Sequence, residues 1–387
     1  MNIKQKIAIL GSTGSIGKTT LNIIEKNPNL FSVDLLSCLN NKLLIIKQIK
    51  KFLPKYVIIS NLDTFNHVKK IKFRKKIIFF HDLEDFNKNN NLVFDKTILG
   101  ISSIDGLPFA FSFINCSKKI LIANKETIVC GGNFFLNASK KKNCIVESID
   151  SEHYCLAESL KNYKKKEIKK IYLTASGGPF LHKSKEQIFK AEPSKALKHP
   201  NWKMGKKISI DSATMVNKGL EVIEASILFN LKPNQIKIKI HEESKVHSII
   251  VLKNKLVHLV AHDTSMRIPI ENSLHDNYKL SKLNNFFENK NKFIFSFDEI
   301  NLKKFPALPI AYKALNYGHR ACIFYNVIND CLVSDYLNKK IFFYEIVNKL
   351  NKIMLQKKLK KFFRQKIRNL NDIYKTINYA KVFYKNI

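Results

Sequence analysis

Residues 6–10, Lys-Ile-Ala-Ile-Leu, form a short apolar run of buried-strand type. They pass directly into Gly11-Ser-Thr-Gly14-Ser-Ile-Gly17 and then into a helical pattern that lasts to about Lys26. Strand, glycine turn and helix together open a βαβ unit, which commits this part of the chain to a parallel sheet flanked by helices. The alternation continues. Ser32–Cys38 reads as a strand, 43–53 as a helix, and Tyr56–Ile59 and Ile77–Phe80 as strands. A helix near 107–114 precedes strands at Ile120–Ala123 and Cys144–Ile149. The expectation is a doubly wound parallel sheet over residues 1–149.

The turn carries a chemical meaning as well. Its glycines let the backbone approach a pyrophosphate, and the helix start supplies N–H groups and a positive dipole. The spacing is G-x-x-G-x-x-G rather than G-x-G-x-x-G, and the bland alternative is a tight strand-to-helix turn. An NAD site places an acid at the end of the second strand to bond the ribose 2′-hydroxyl. Here Cys38-Leu-Asn-Asn41-Lys42 follows instead. The missing carboxylate favours NADPH, with Lys42 as the candidate partner of its 2′-phosphate.

Residues 199–228 hold a dense set of polar groups at helix-entry spacing and the only tryptophan, Trp202. Ile208-Ser-Ile210 is read as a short strand, with Asp211, Ser212 and Thr214 as capping oxygens. From about Met215 the apolar positions Val216, Leu220, Ile223 and Ile227 recur at helical period. Asn217, Lys218 and Glu221 then share one helix face. An amide, a cation and a carboxylate beyond a Ser-rich helix start suit a phosphorylated, metal-binding substrate; the bland reading is a capped amphipathic helix.

Asp150 and Glu152 are two residues apart, and in extended chain both would point to one side and could meet one cation. With Glu221 the donor set would be all oxygen, which suits Mg²⁺ or Mn²⁺ rather than zinc. His153 reads as packing or support for that set. Asn124-Lys125-Glu126 lies at the carboxyl end of a strand, where α/β sheets present ligands. A strand at 171–174 leads to Ala175-Ser176-Gly177-Gly178, a turn able to expose Ser176 and backbone N–H groups to phosphate. Residues 181–198, ending at His199-Pro200-Asn201-Trp202, read as a lid. Strands near 236–240, 247–252 and 256–260 follow, then a polar stretch at 272–291. Helices are expected near 307–317, 321–337, 341–353 and 369–379.

The chain has 387 residues and a formal charge of +36. Its lysines are dispersed among apolar segments and no nucleic-acid recognition motif accompanies them, so the charge reads as a solvated surface rather than a nucleic-acid site. No run reaches membrane-spanning length. The N-terminus has no signal-peptide pattern, and the seven cysteines show no C-x-x-C pair, which together point to a reduced cytoplasmic compartment.

Taken together, these stretches resemble the 1-deoxy-D-xylulose 5-phosphate reductoisomerase family over nearly the whole chain. The resemblance runs from Gly-Ser-Thr-Gly-Ser-Ile-Gly through Ala-Asn-Lys-Glu, Ile-Asp-Ser-Glu-His and Ser-Gly-Gly-Pro-Phe. It ends in the long stretch from His199-Pro-Asn-Trp to Asn217-Lys-Gly-Leu-Glu221. It implies an N-terminal Rossmann-like NADPH-binding domain (1–149), an α+β catalytic metal- and substrate-binding domain (150–275), a linker (276–301) and a C-terminal helical bundle (302–387). It implies that Asp150, Glu152 and Glu221 bind Mg²⁺ or Mn²⁺, and that Ser176, Ser212, Asn217 and Lys218 hold the substrate phosphate. Lys125, Ser151 and Glu152 would contact the reacting keto-diol, with His199, Trp202 and Met204 closing over it. Thr13, Gly14, Ser15, Ile16, Asn41, Asn124, Glu126 and Gly205 would line the NADPH site. A sugar-phosphate substrate and a homodimer are implied too.

The chain departs from the family pattern in places. Cys38-Leu-Asn-Asn41 stands where the family carries Ala-Gly-Lys-Asn, so only Asn41 matches. Ala175 replaces a glycine, and Asn326-Val-Ile-Asn-Asp330 stands for Asn-Ala-Ala-Asn-Glu. None of these touches the metal or phosphate set. Two other readings compete: a metal-free sugar-phosphate dehydrogenase, which leaves the three acids without work, and a nucleic-acid-binding protein, supported by charge alone.

Overall fold

The computed structural model describes residues 3–88, 92–202, 204–275 and 294–386. In chain order the first elements are β1 (Gln5–Leu10), α1 (Ser15–Lys26), β2 (Phe31–Cys38), α2 (Lys42–Phe52), β3 (Tyr56–Ile59), α3 (Leu62–Lys69), β4 (Ile78–Phe80) and α4 (Leu83–Asn87). Then come β5 (Phe94–Leu99), α5 (Gly106–Phe113), β6 (Ser117–Ile122), α6 (Lys125–Lys141), β7 (Ile145–Ser148), α7 (Ser151–Leu160), β8 (Ile168–Ala175), α8 (Lys185–Phe189) and α9 (Pro193–Ala196). The remainder is α10 (Lys206–Thr214), α11 (Val216–Leu228), β9 (Ile236–Ile240), β10 (Val246–Leu252), β11 (Val257–Ala261), α12 (Arg267–Leu274), α13 (Ala307–Tyr317), α14 (His319–Leu337), α15 (Phe343–Met354), α16 (Lys357–Phe363) and α17 (Leu370–Lys385).

The chain divides into two compact units. The first comprises 1–127, 135–150 and 266–282; the second comprises 128–134, 151–265 and 283–387. Among the described residues of the first unit, seven strands form a parallel sheet in the order β4-β3-β2-β1-β5-β6-β7. The order reverses between β1 and β5, which makes the carboxyl end of β1 the switch point where such sheets take ligands. Strands buried on both faces need continuous apolar runs, and Ile7, Ile9, Leu36, Val57, Ile98 and Leu121 supply them. From far along the sequence, Ile270 and Leu274 of α12 join this core. The buried Lys96 ammonium donates to the Leu274 carbonyl and so completes the C-terminal end of that helix.

In the second unit four strands form a mixed sheet, β11-β10-β8-β9, with only β8 and β9 parallel. Ile171, Leu173, Ile238 and Ile250 from this sheet share a core with Met215, Val222 and Leu308. Gly219 brings α11 close to α13 and α14: a Cβ there would meet the Tyr325 hydroxyl at 2.6 Å and the Ala311 methyl at 3.0 Å.

The α/β architecture, second sheet and C-terminal helices agree with expectation. Several local readings need correction. Residues 208–210 are not a strand: they lie inside α10. Two isoleucines flanking a serine fit either period, and three local interactions decide for the helix. Lys207 reaches Asp211 four residues on at 2.7 Å, Ser209 Oγ donates to the Gly205 carbonyl, and Thr214 Oγ1 donates to the Ile210 carbonyl. Asp150 and Glu152 do not sit in extended chain either, because α7 begins at Ser151. β5, α3 and α4 had no expectation at all, and α16 falls within the expected C-terminal helical bundle without bounds of its own. The stretch 276–293 of the expected linker lies outside the described residues; beyond it, Asp298 makes an isolated bridge to Ile240. The seven cysteines, all among the described residues, are free thiols, and burial pushes the Cys38 thiol up to about 12.

Candidate active site

The glycine turn sits at the carboxyl end of β1, and its shape requires glycine. Gly11 has φ +79°, and a Cβ on Gly17 would stand 2.5 Å from the Gly11 carbonyl oxygen. Gly14 starts α1 with no side-chain cap, which leaves its first-turn N–H groups to an anion. The turn is braced from the neighbouring strand and helix. Gly11 N–H donates to Ser37 Oγ (2.9 Å), Ser12 Oγ donates to Gln48 Oε1 (2.8 Å), and Gln48 Nε2 donates back to the Ser12 carbonyl (2.9 Å). Thr13, Gly14, Ser15 and Ile16 are thus presented at the switch point. Asn41 accepts a hydrogen bond from Leu44 N–H and caps α2, with Lys42 exposed beside it. Asn124 and Glu126 lie at the start of α6. The Asn124 amide donates to the Ile101 and Ser103 carbonyls (2.7 and 2.8 Å), so it shapes the loop after β5.

The chemistry-bearing cluster forms where α7 and α11 begin. Asp150 directly precedes α7, and Glu152 is in the first turn of that helix. Glu221 comes from α11 and is 1% exposed. Carboxylate oxygens of all three lie within 4.8 Å of one another. Lys218, 4% exposed, places its ammonium 2.6 Å from Glu152 Oε1 and also pairs with Glu221. Lys125 pairs with Asp150. Asn217 Nδ2 donates to Glu221 Oε1 (2.6 Å), and Ser151 Oγ donates to Glu152 Oε2 (2.6 Å). Burial opposes the charge on Lys218, but the Glu152 and Glu221 carboxylates outweigh it and hold its pKa above the ordinary lysine value.

Three carboxylates, Asp150 and Glu221 buried and Glu152 partly so, keep an excess negative charge beside two ammonium neighbours, and their donor set is entirely oxygen. That chemistry fits a hard divalent cation. His153 is fully buried behind the cluster; its Nε2 lies 3.1 Å from the Glu221 carbonyl and its Nδ1 3.4 Å from Glu224. It supports Glu221 from behind and is not a member of the ligand set.

The phosphate candidates come together beside this cluster. Gly177 and Gly178 have φ of +86° and +68°, and a Cβ on Gly178 would lie 3.0 Å from the Ser212 carbonyl oxygen. The Ser176 turn therefore packs directly on the last turn of α10. His199 Nδ1 accepts from Asn201 and Trp202 N–H (3.2 and 3.0 Å), which leaves the proton on Nε2, 3.0 Å from Ser176 Oγ. Burial, and then the Lys218 charge, lower the His199 pKa to about 4, so this imidazole is neutral at physiological pH. The Trp202 ring meets His247 edge-on at 6.2 Å. Met204 follows it, half-buried, and Gly205 precedes α10 with open space around its Cβ position.

Comparison with known proteins decides the family. The sequence matches the 1-deoxy-D-xylulose 5-phosphate reductoisomerase profile over residues 7–132 and that enzyme's two C-terminal domain profiles over 146–229 and 263–382. The chain is 40% identical to the 1-deoxy-D-xylulose 5-phosphate reductoisomerase of Pelagibacter ubique (strain HTCC1062), with 98% of each chain covered. The chain belongs to the 1-deoxy-D-xylulose 5-phosphate reductoisomerase family. The reductoisomerase of Clostridium novyi (strain NT) is 36% identical, with 99% of each chain covered. Among solved structures, a DOX-P reductoisomerase in complex with NADPH, fosmidomycin and magnesium matches with a TM-score of 0.91 at 30% identity, covering 99% of this chain and 98% of that one. The Zymomonas mobilis reductoisomerase in complex with NADPH matches at 0.88 and 26% identity, with 99% of each covered.

Some residues that shape this reductoisomerase site had no sequence signal of their own. Ser12, Ser37 and Gln48 brace the glycine turn across 25 to 36 positions, a distance local patterns do not reach. His247 and His262 stack at 3.9 Å under Trp202, and burial lowers the His247 pKa to about 3. A lone histidine in β10 and another just past β11 gave no reason to pair them. Glu224 could have been found, since it lies three residues beyond Glu221 on one helix face.

Proposed function

We propose that Asp150, Glu152 and Glu221 hold the divalent cation of the reductoisomerase reaction, and that Ser176, Ser212, Asn217 and Lys218 bind the substrate phosphate. The reaction is that of the family: NADPH- and divalent-metal-dependent rearrangement and reduction of 1-deoxy-D-xylulose 5-phosphate to 2-C-methyl-D-erythritol 4-phosphate, in isoprenoid precursor biosynthesis. The convergence of three carboxylates within 4.8 Å, two of them buried, carries the assignment; a metal-free dehydrogenase has no use for it.

When bound, the cation supplies Lewis-acid polarisation of the substrate oxygens and the nicotinamide supplies the hydride. The chain's own residues do the rest. Lys125, tied to Asp150, keeps a positive charge where charge develops on the reacting oxygens. Ser151 orients Glu152 through its hydrogen bond. Binding the phosphate away from the reacting bonds supplies orientation that the small keto-diol cannot provide for itself. Neutral His199 donates from Nε2 toward Ser176 and carries Trp202 and Met204 with it, and these exclude water. Thr13, Gly14, Ser15 and Ile16 would hold the NADPH diphosphate, and Asn41, Asn124, Glu126 and Gly205 are assigned to the same cofactor.

Residues 1–149 are assigned to the cofactor, 150–275 to the metal and substrate, and 302–387 to the helical part, joined by 276–301; the division after Asp150 supports the first of these boundaries, whereas α12 packs in the core of the first unit. A cytoplasmic homodimer completes the reading. No helix among the described residues is long and apolar enough to cross a membrane. Calorimetric titration with Mn²⁺ should find one site per chain, and Glu152→Gln should abolish it. Undiminished Mn²⁺ binding by that variant contradicts the ligand assignment.

A further inference from the structure

The segment between Ser176 and Trp202 is held by the C-terminal helices at several points. Phe180 is buried edge-on against Phe343 of α15, with ring centroids 4.9 Å apart at 75°. Phe343 in turn packs on Tyr336 of α14 at 5.6 Å. Tyr336 is 1% exposed, and its hydroxyl donates to the Ala191 carbonyl at 2.7 Å. Phe189 stacks on Tyr344 at 3.8 Å and 9°. At the far end, Asn201 Nδ2 donates to the Glu242 carbonyl (2.6 Å) and to Ser244 Oγ (2.9 Å). Between Ala191 and Asn201 the chain has little slack: Pro193 and Pro200 fix two φ angles, and Ala196 is fully buried. A displacement of Ala191 therefore passes along this short arm to His199.

We propose that Tyr336, acting through the Ala191 carbonyl, is a positioning residue that sets where the His199–Trp202 arm stands over Ser176. The inference rests on the reading of Ser176 and His199 as part of the substrate site. A buried hydroxyl with one acceptor is well suited to the task, since a neutral hydrogen bond is directional and a carbonyl left buried without its donor shifts to find another. Burial also raises the Tyr336 pKa, which keeps the group a donor throughout the working pH range. The Phe189–Tyr344 stack, with Phe189 exposed and Tyr344 half-buried, steadies the same arm from its solvent side.

The test uses the full chain. Tyr336→Phe keeps the ring and its contact with Phe343 and removes only the hydroxyl. Its Michaelis constant for 1-deoxy-D-xylulose 5-phosphate should rise about three- to tenfold, the span one hydrogen bond's net worth represents. Its kcat and its Michaelis constant for NADPH should stay within about twofold. Without turnover, acrylamide should quench Trp202, the only tryptophan in the sequence, more strongly in the variant. In a His199→Ala background the substitution should raise the substrate Michaelis constant no further, because the path to the substrate is already cut. Tyr344→Ala, which touches no core, should give a smaller shift of the same sign and keeps the test open if Tyr336→Phe does not fold. An unchanged substrate Michaelis constant with unchanged quenching, or an equal loss in all kinetic parameters, overturns the proposal. A wild-type chain that oxidises no NADPH with this substrate would instead remove the reading of the site on which the proposal stands.

Discussion

The Lys218 ammonium lies 2.6 Å from Glu152 Oε1, joining the start of α11 to the first turn of α7. Glu221 pairs with the same ammonium from one helical turn on. A lysine thus shares two of the three carboxylates proposed for the cation, so the proposed phosphate and metal sites would be built on one charge network.

Removing a carboxylate from that network should be selective. Glu221→Gln keeps the shape and the acceptor for Asn217 but loses the anionic oxygen. Turnover should fall at least about 100-fold, at or beyond the loss typical of groups that support a metal. NADPH binding, followed by cofactor fluorescence, should be nearly unchanged. Near-normal turnover would refute a ligand role for Glu221.

Stability should fall in mild acid. Burial, and then nearby positive charge, lower the His199 pKa from 6.5 to about 4; burial, and then His262, lower that of His247 to about 3. Between pH 6.5 and these values the unfolded chain binds protons that the folded chain refuses, so stability is full above pH 6.5 and lost as pH falls through the window. Thermal melts at pH 7.5, 6.0 and 5.0 should show a steady drop. A melting temperature flat over that range counts against neutral, buried imidazoles.

Asp211 locks α10 to α14. Its Oδ2 takes Lys207 at 2.7 Å and its Oδ1 takes Asn329 Nδ2 at 2.8 Å. Breaking a buried pair costs about 3–5 kcal/mol, but Lys207 is partly exposed and keeps Asp330 at 3.1 Å, so Asp211→Ala should cost about 2 kcal/mol. Urea denaturation measures this. A change within about 0.5 kcal/mol, ordinary for surface sites, would show that the lock is not structural.

What the sequence disclosed and what it hid follow from the range of the forces involved. Helix and strand periods exposed the glycine turn, most of the parallel sheet and the shared face of Asn217, Lys218 and Glu221, because each depends on neighbours within four positions. The strand read at 208–210 went wrong because two isoleucines cannot choose a period alone; the choice rests on Lys207 and Asp211, and so partly on α14. Asp150 and Glu152 do converge, but a helix start turns them inward rather than an extended strand. β5 was missed because Asp95, Lys96 and Thr97 interrupt its apolar run, and a buried Lys96 makes sense only once the Leu274 carbonyl, 178 residues away, is in place. The tether from Tyr336 to Ala191 spans 145 residues and has no local signature.

The most direct measurement is NADPH oxidation by the purified chain with 1-deoxy-D-xylulose 5-phosphate and Mn²⁺, followed by excess chelator, with NADH in parallel. The account predicts substrate-dependent oxidation that chelator abolishes and that runs much faster with NADPH. Oxidation that survives the chelator would contradict the role given to Asp150, Glu152 and Glu221, and no oxidation by folded, metal-supplied protein would contradict the function itself.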